Sequence, residues 1–89
     1  MVASMGGHVL TLHALFQMGR RGISESVVAR VLGAPEQHLR MRPGREIFQS
    51  RIRFADGTYL VRVIVDVSSA TAEVVTVYRT SKIEKYWEK

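Results

Sequence analysis

Apolar and polar positions change period twice along this chain. From about His8 to Gly19, Val9, Leu12, Leu15 and Phe16 recur every three or four residues. That spacing predicts an amphipathic helix. Gly22, with Arg20 and Arg21 just before it, suits a helix C-terminus. Ser24 is a natural N-cap for a second helix, with Glu25 in its first turn and Val27, Val28, Val31 and Leu32 as its buried stripe. Gly33 and Pro35 stop it. Gln37–Arg42 reads as a short edge strand, and Pro43-Gly44 as a turn.

The period then drops to two. From Arg45 to Ala55, Phe48, Ser50, Ile52 and Phe54 share one face, and Gln49, Arg51 and Arg53 the other. Asp56-Gly57 marks a hairpin turn. From Thr58, Tyr59, Val61, Val63, Val65 and Val67 alternate with Leu60, Arg62, Ile64 and Asp66. After a polar turn at 68–72 comes a last strand, Glu73 to Tyr78, β-branched and aromatic. Lys82–Trp87 is long enough for one helical turn. Helix, helix, then strands predicts an α+β domain, with two N-terminal helices packed on a three- to four-stranded antiparallel sheet. The valine face should meet the helices, leaving Arg51, Arg53 and Arg62 as an exposed basic row.

The chain has 89 residues, enough for one domain, expected over 8–89, with 1–7 as a frayed start or added residues. Residues 1–7 lack the basic and apolar regions of a signal peptide. Thirteen Lys and Arg against eight Asp and Glu give a net charge of +5, which favours polyanionic partners. The lack of cysteine removes disulfides and thiolate metal sites, and fits a reducing cytoplasm. No apolar run approaches the ~20 residues of a membrane span, so a membrane is not expected as a partner. His8, His13 and His38 are not at ligand spacing, and no cofactor fingerprint occurs.

The remaining chemistry is cationic and phenolic. Arg51, Arg53, Arg62, Arg79, Lys82 and Lys85 can bind phosphates. Tyr78, Tyr86 and Trp87 can stack bases. His13 or a tyrosine can move protons. Such groups suffice for RNA cleavage without a metal: a base deprotonates a 2′-hydroxyl, cations stabilise the phosphorane charge, and an acid protonates the leaving oxygen.

Three segments together resemble a bacterial family filed as domain of unknown function 4258. They are His13-Ala14 running to Met18, Arg21, Gly22 and Ile23; Ser24-Glu25 with Val28 and Val31; and Val75-Thr76-Val77-Tyr78 with Thr80-Ser81-Lys82 and Lys85-Tyr86-Trp87. Gln17 stands where the family often carries a basic residue. The resemblance implies a RelE-like fold, kinship with small ribonuclease toxins of the RelE and BrnT type, and a small acidic antitoxin as partner. The resulting expectation is a toxin-type endoribonuclease acting on RNA, with His13, Arg21, Tyr78 and Lys82 catalytic. Arg51, Arg53, Arg62, Arg79, Lys85 and Tyr86 would bind the nucleic acid. The competing readings are a non-catalytic module using the same basic face, and a structural domain that pairs with itself or a partner through a strand edge.

Overall fold

The turn at 55–56 sets the register of the central hairpin. The structure, a computed structural model, describes residues 3–5 and 7–89, with side chains described from Gly7 onward. Strand β4 (Arg45–Phe54) pairs antiparallel with β5 (Gly57–Asp66), from Phe54 opposite Gly57 out to Arg45 opposite Asp66. Strand β3 (Gln37–Arg42) flanks β4, and β6 (Ala72–Thr80) flanks β5. Beyond β6 lie β2 (His8–Leu10) and β1 (Ala3–Met5). The order is therefore β1-β2-β6-β5-β4-β3.

This corrects the expected architecture. The sheet has six strands and is mixed, because β2 runs parallel to β6. The first two helices are not N-terminal; they form the crossover between β2 and β3. Three-residue strands carry too little alternation to be read from a sequence. Only pairing with β6 and with each other makes β2 and β1 strands. Ala3–Met5 lie in the stretch expected to be frayed, and Met1, Val2 and Gly6 fall outside the described residues.

Helix α1 spans Leu12–Arg21, not 8–19. Thr11 decides its start: its hydroxyl accepts from the Ala14 N–H at 3.1 Å and donates to the Val74 carbonyl at 2.9 Å. One side chain thus caps the helix and ties it to β6. The buried face is Ala14 and Met18, while Leu12 and Phe16 are 62% and 61% exposed. The predicted stripe was out of phase: the helix, tied to β6 at Thr11, turns Ala14 and Met18 to the core and leaves the larger Leu12 and Phe16 outside. Gly22 closes the helix at φ 64°, with its N–H on the Met18 carbonyl.

Helix α2 (Glu25–Gly33) follows the Ser24 cap and buries Val28, Val31 and Leu32. These join Ala14, Met18, Ile23, Ile52, Val61, Val63, Val65, Val74 and Val77 in the main core. The alternating valines of β5 therefore do meet the helices. The opposite face of the sheet is also covered. Ile47, Leu60 and Ile64 are buried there. The chain end after β6, including the single turn α3 (Ile83–Tyr86), returns to that face. Both faces of β5 are closed, so the basic row expected on an open surface cannot exist as such.

Candidate functional site

The covered second face holds a polar row. Gln37, Gln49, Arg62 and Tyr78 stand opposite one another on four consecutive strands, β3 to β6. Residues at matched positions share a face and touch. Arg62 Nε donates to Gln49 Oε1 at 2.8 Å, and Arg62 Nη1 donates to the Tyr78 hydroxyl at 2.6 Å. Gln49 Nε2 donates to Gln37 Oε1 at 2.7 Å and to the Tyr86 carbonyl at 3.1 Å. Gln37 closes the row on the chain end: its Oε1 accepts from the Glu88 N–H at 3.1 Å and its Nε2 donates to the Glu88 carbonyl. Gln49 is fully buried and Arg62 is 8% exposed.

The row has a direction. Each amide is committed to its neighbour, and the Tyr78 oxygen accepts from Arg62. The phenol's own proton is thus left to donate away from the guanidinium. Arg62 carries a full charge among neutral partners. Its guanidinium carbon lies 4.4 Å from the Tyr86 ring centre and 5.8 Å from that of Tyr78. Among the described residues its guanidinium bonds to Gln49 and Tyr78 alone, and Gln17 Oε1 is the fully buried side-chain polar atom left without a partner. Burying a charge without a counter-ion is costly unless a ligand supplies one.

Arg21 ends this row from the helix side. β2 pairs with β6 only as far as Val74, and α1 packs against β6. Arg21 Nη1 donates to the Val77 carbonyl at 3.1 Å, and its guanidinium carbon lies 5.9 Å from the Tyr78 ring centre. Lys85 Nζ lies 5.3 Å from the Tyr86 ring centre. The ion pairs of the described residues are His38–Glu46, Arg45–Asp66, Arg51–Glu36 and Arg79–Asp56. Arg21, Arg62, Lys82 and Lys85 take part in none of them. The structure therefore brings together Arg21, Arg62, Tyr78, Lys85 and Tyr86, and none of these cations is in an ion pair of the described residues.

The other predicted residues lie elsewhere. His13 is exposed on α1 and enters none of these bonds. It precedes Arg21 by eight residues, about 12 Å along a helix axis. Lys82 is exposed beyond β6, its N–H on the Thr80 hydroxyl at 3.1 Å. Arg79 points to the helix-covered face, opposite Val61. Arg53 is exposed. Arg51 is already used: it makes a bidentate pair with Glu36 at 3.0 and 2.9 Å and lies 4.2 Å over the Trp87 ring. Gln37 and Gln49 were missed by sequence reasoning. Their signal was present: counting outward from the hairpin turn sets Gln49 opposite Arg62.

The Arg51–Glu36 pair fastens the strap formed by residues 83–89, because Trp87 rests on the paired guanidinium. The Arg51 side-chain hydrogen bond first, and its backbone N–H second, lower the Glu36 carboxyl from 4.5 to about 2. A folded-state value below the unfolded one contributes stability that is present above about pH 4.5. That stability is lost as pH falls toward 2. Both side chains are well exposed, so the effect is modest and screened by salt. The thermal midpoint of the wild type should fall more steeply between pH 4.5 and 2 than that of Glu36→Gln. Parallel pH profiles would show that the pair adds nothing.

Comparison with family models, with curated proteins and with solved structures returned no match. Among the described residues, no group of three or more His, Cys, Asp or Glu is placed to hold a metal ion, and no helix is long and apolar enough to cross a membrane.

Proposed function

We propose that this domain acts on RNA as a small endoribonuclease of the toxin type, with the scissile phosphate at the Tyr78 end of the polar row. The observation that carries the reading is Arg62: a nearly buried guanidinium with neutral partners only, orienting a phenol beside a second arginine. The resemblance to the family of domain of unknown function 4258, in the segments holding His13, Arg21 and Tyr78, supports the same reading. So does the net charge of +5.

The chemistry is an in-line transfer within the RNA chain. A base takes the proton of a ribose 2′-hydroxyl, and the 2′-oxygen bonds to phosphorus. The bond to the 5′-oxygen breaks, and the leaving oxygen takes a proton from Tyr78. The products are a 2′,3′-cyclic phosphate and a 5′-hydroxyl. Arg21 and Arg62 oppose the charge that grows on the phosphoryl oxygens. His13 lies about 12 Å along α1 from Arg21, beyond hydrogen-bond reach of this phosphate, so in this scheme water takes the 2′-hydroxyl proton. Lys82 and Lys85 extend the cationic rim. A small acidic partner would hold the domain inactive. The exposed Leu12 and Phe16 of α1, with Arg20 5.9 Å from the Phe16 ring centre, offer such a partner an apolar and basic face. β3, the last strand on its side of the sheet, offers a second copy an edge.

The test is purified protein incubated with total RNA in EDTA, with cleavage ends mapped. New 5′-hydroxyl ends are expected. Tyr78→Phe should lower the rate about 100-fold if the phenol is the general acid. Salt-dependent RNA binding with no cleavage by wild type would instead establish the non-catalytic module. His13, outside the arginine–tyrosine cluster, is the feature that favours that second reading.

A further inference from the structure

On the far side of Arg21 the structure opens a second cationic surface. Gly19, Arg20, Arg21, Gly22, Tyr59 and Arg79 line an open cleft of about 500 Å³. It lies between the C-terminal end of α1 and the turn of the central hairpin. Three of its six lining residues are arginines. Gly19 and Gly22 present only backbone, and a side chain added at Gly19 would meet nothing within 4 Å. Arg79 is held ready: its guanidinium carbon lies 4.3 Å from the Phe54 ring centre and 4.5 Å from that of Tyr59. Stacking of this kind fixes the guanidinium while leaving its edge open to an anion.

One carboxylate reaches this cleft. Asp56 Oδ1 sits 3.9 Å from Arg79 Nη1, and Asp56 Oδ2 accepts from the Tyr59 hydroxyl at 2.8 Å. The Tyr59 hydrogen bond, aided by Arg79, holds the Asp56 carboxyl below its ordinary range. Asp56 is highly exposed and lies on a tight turn, so it can yield its place on Arg79 to a stronger anion.

We infer that this cleft is a second phosphate subsite, taking a backbone phosphate of the same single-stranded RNA beside the one at Tyr78, with Asp56 as the internal anion that the phosphate displaces. Arg21 belongs to both sites, so the strand crosses the edge of β6 at that residue. The inference rests on the RNA reading above. It adds a binding position on the helix-covered side of the sheet and names Arg20, Arg79 and Asp56 as residues that set affinity without touching the reacting atoms.

The test is binding of a short, non-cleavable 2′-O-methyl oligoribonucleotide to the full chain across a salt series. Arg79→Gln and Arg20→Gln should each reduce the slope of log affinity against log salt by about 0.7, the value for one single-strand phosphate contact. Asp56→Asn should tighten binding several-fold at low salt. Thermal melts check that each variant folds, and the exposed Arg20 and Asp56 changes guard against a packing defect at Arg79. Unchanged slopes and affinity in all three variants, with binding still weakened by Arg62→Met, would overturn the subsite and leave the Tyr78 site standing. No salt-dependent binding by the wild type would overturn both. Loss of an acidic protein partner in these variants, with the RNA slope unchanged, would also overturn it.

Discussion

Replacing Val63 with aspartate is expected to remove the cooperative thermal transition of this domain. Val63 is fully buried at the middle of β5, opposite Phe48 on one side and Val77 on the other. Its neighbours in the core are the apolar side chains of α1, α2 and the inner strands. The buried residues of that cluster offer the carboxylate no side-chain donor, so it would be desolvated without compensation or would have to take up a proton. Either outcome costs several kcal/mol. A chain of this length has about 4–13 kcal/mol of stability in total. The loss is therefore comparable with the whole. Circular dichroism on heating checks it. A variant that keeps its transition within a few degrees would show that the valine side of β5 does not face the helices. Thr58→Asp is the matching control, because Thr58 is exposed on the same strand.

Arg62→Met is expected to lower activity while leaving stability close to that of the wild type. The methionine fills the space beside Tyr86 without a charge, and replacing a buried unneutralised ion by an apolar side chain of similar volume is often neutral or stabilising. Gln49 Oε1 and the Tyr78 hydroxyl each lose a donor, which offsets part of that gain. The melting temperature should stay close to wild type. RNA cleavage should fall by 10²–10³, the loss of about 3–4 kcal/mol that follows removal of one charge-stabilising donor from a transition state. Arg62→Lys should recover part of the rate through charge, but not the directed bond to Tyr78. Equal falls in cleavage and melting temperature would make Arg62 a structural residue. Full cleavage by a folded Arg62→Met would remove the arginine–tyrosine row from the mechanism.

The face assignments within the long strands were legible in the sequence because a period of two admits no intermediate answer. Once the Asp56-Gly57 turn fixes the hairpin, a slip by one residue would put every valine of β5 outside. The second helix was legible for a similar reason: Ser24 caps it and its apolar spacing is unbroken. The first helix was read out of phase, because its large apolar residues Leu12 and Phe16 are the exposed ones, and only its packing against β6 turns Ala14 and Met18 inward. The Gln37–Gln49–Arg62–Tyr78 row was half legible. The hairpin turn alone places Gln49 opposite Arg62, but nothing in the sequence says that this face is covered. Without the cover, Arg62 reads as one more exposed arginine.

The inner face of the sheet, the second helix, the positive charge and the stock of arginines and tyrosines available for chemistry are written in the residue pattern. These depend on local periodicity and composition, which act between near neighbours along the chain. The rest came from contacts between distant segments. Two three-residue strands exist because β6 offers them partners. A bulge in β6 shifts its register against β5, so that Tyr78 meets Arg62 while Val74 still meets Val65. The return of residues 83–89 across the second face turns an open polar surface into a nearly buried charge. α1 packs against β6, and its last residue, Arg21, therefore bonds the Val77 carbonyl and lies beside the Tyr78 ring. Each of these is a pairing between segments far apart in sequence. Its energy comes from burial and hydrogen bonding that no single segment carries alone.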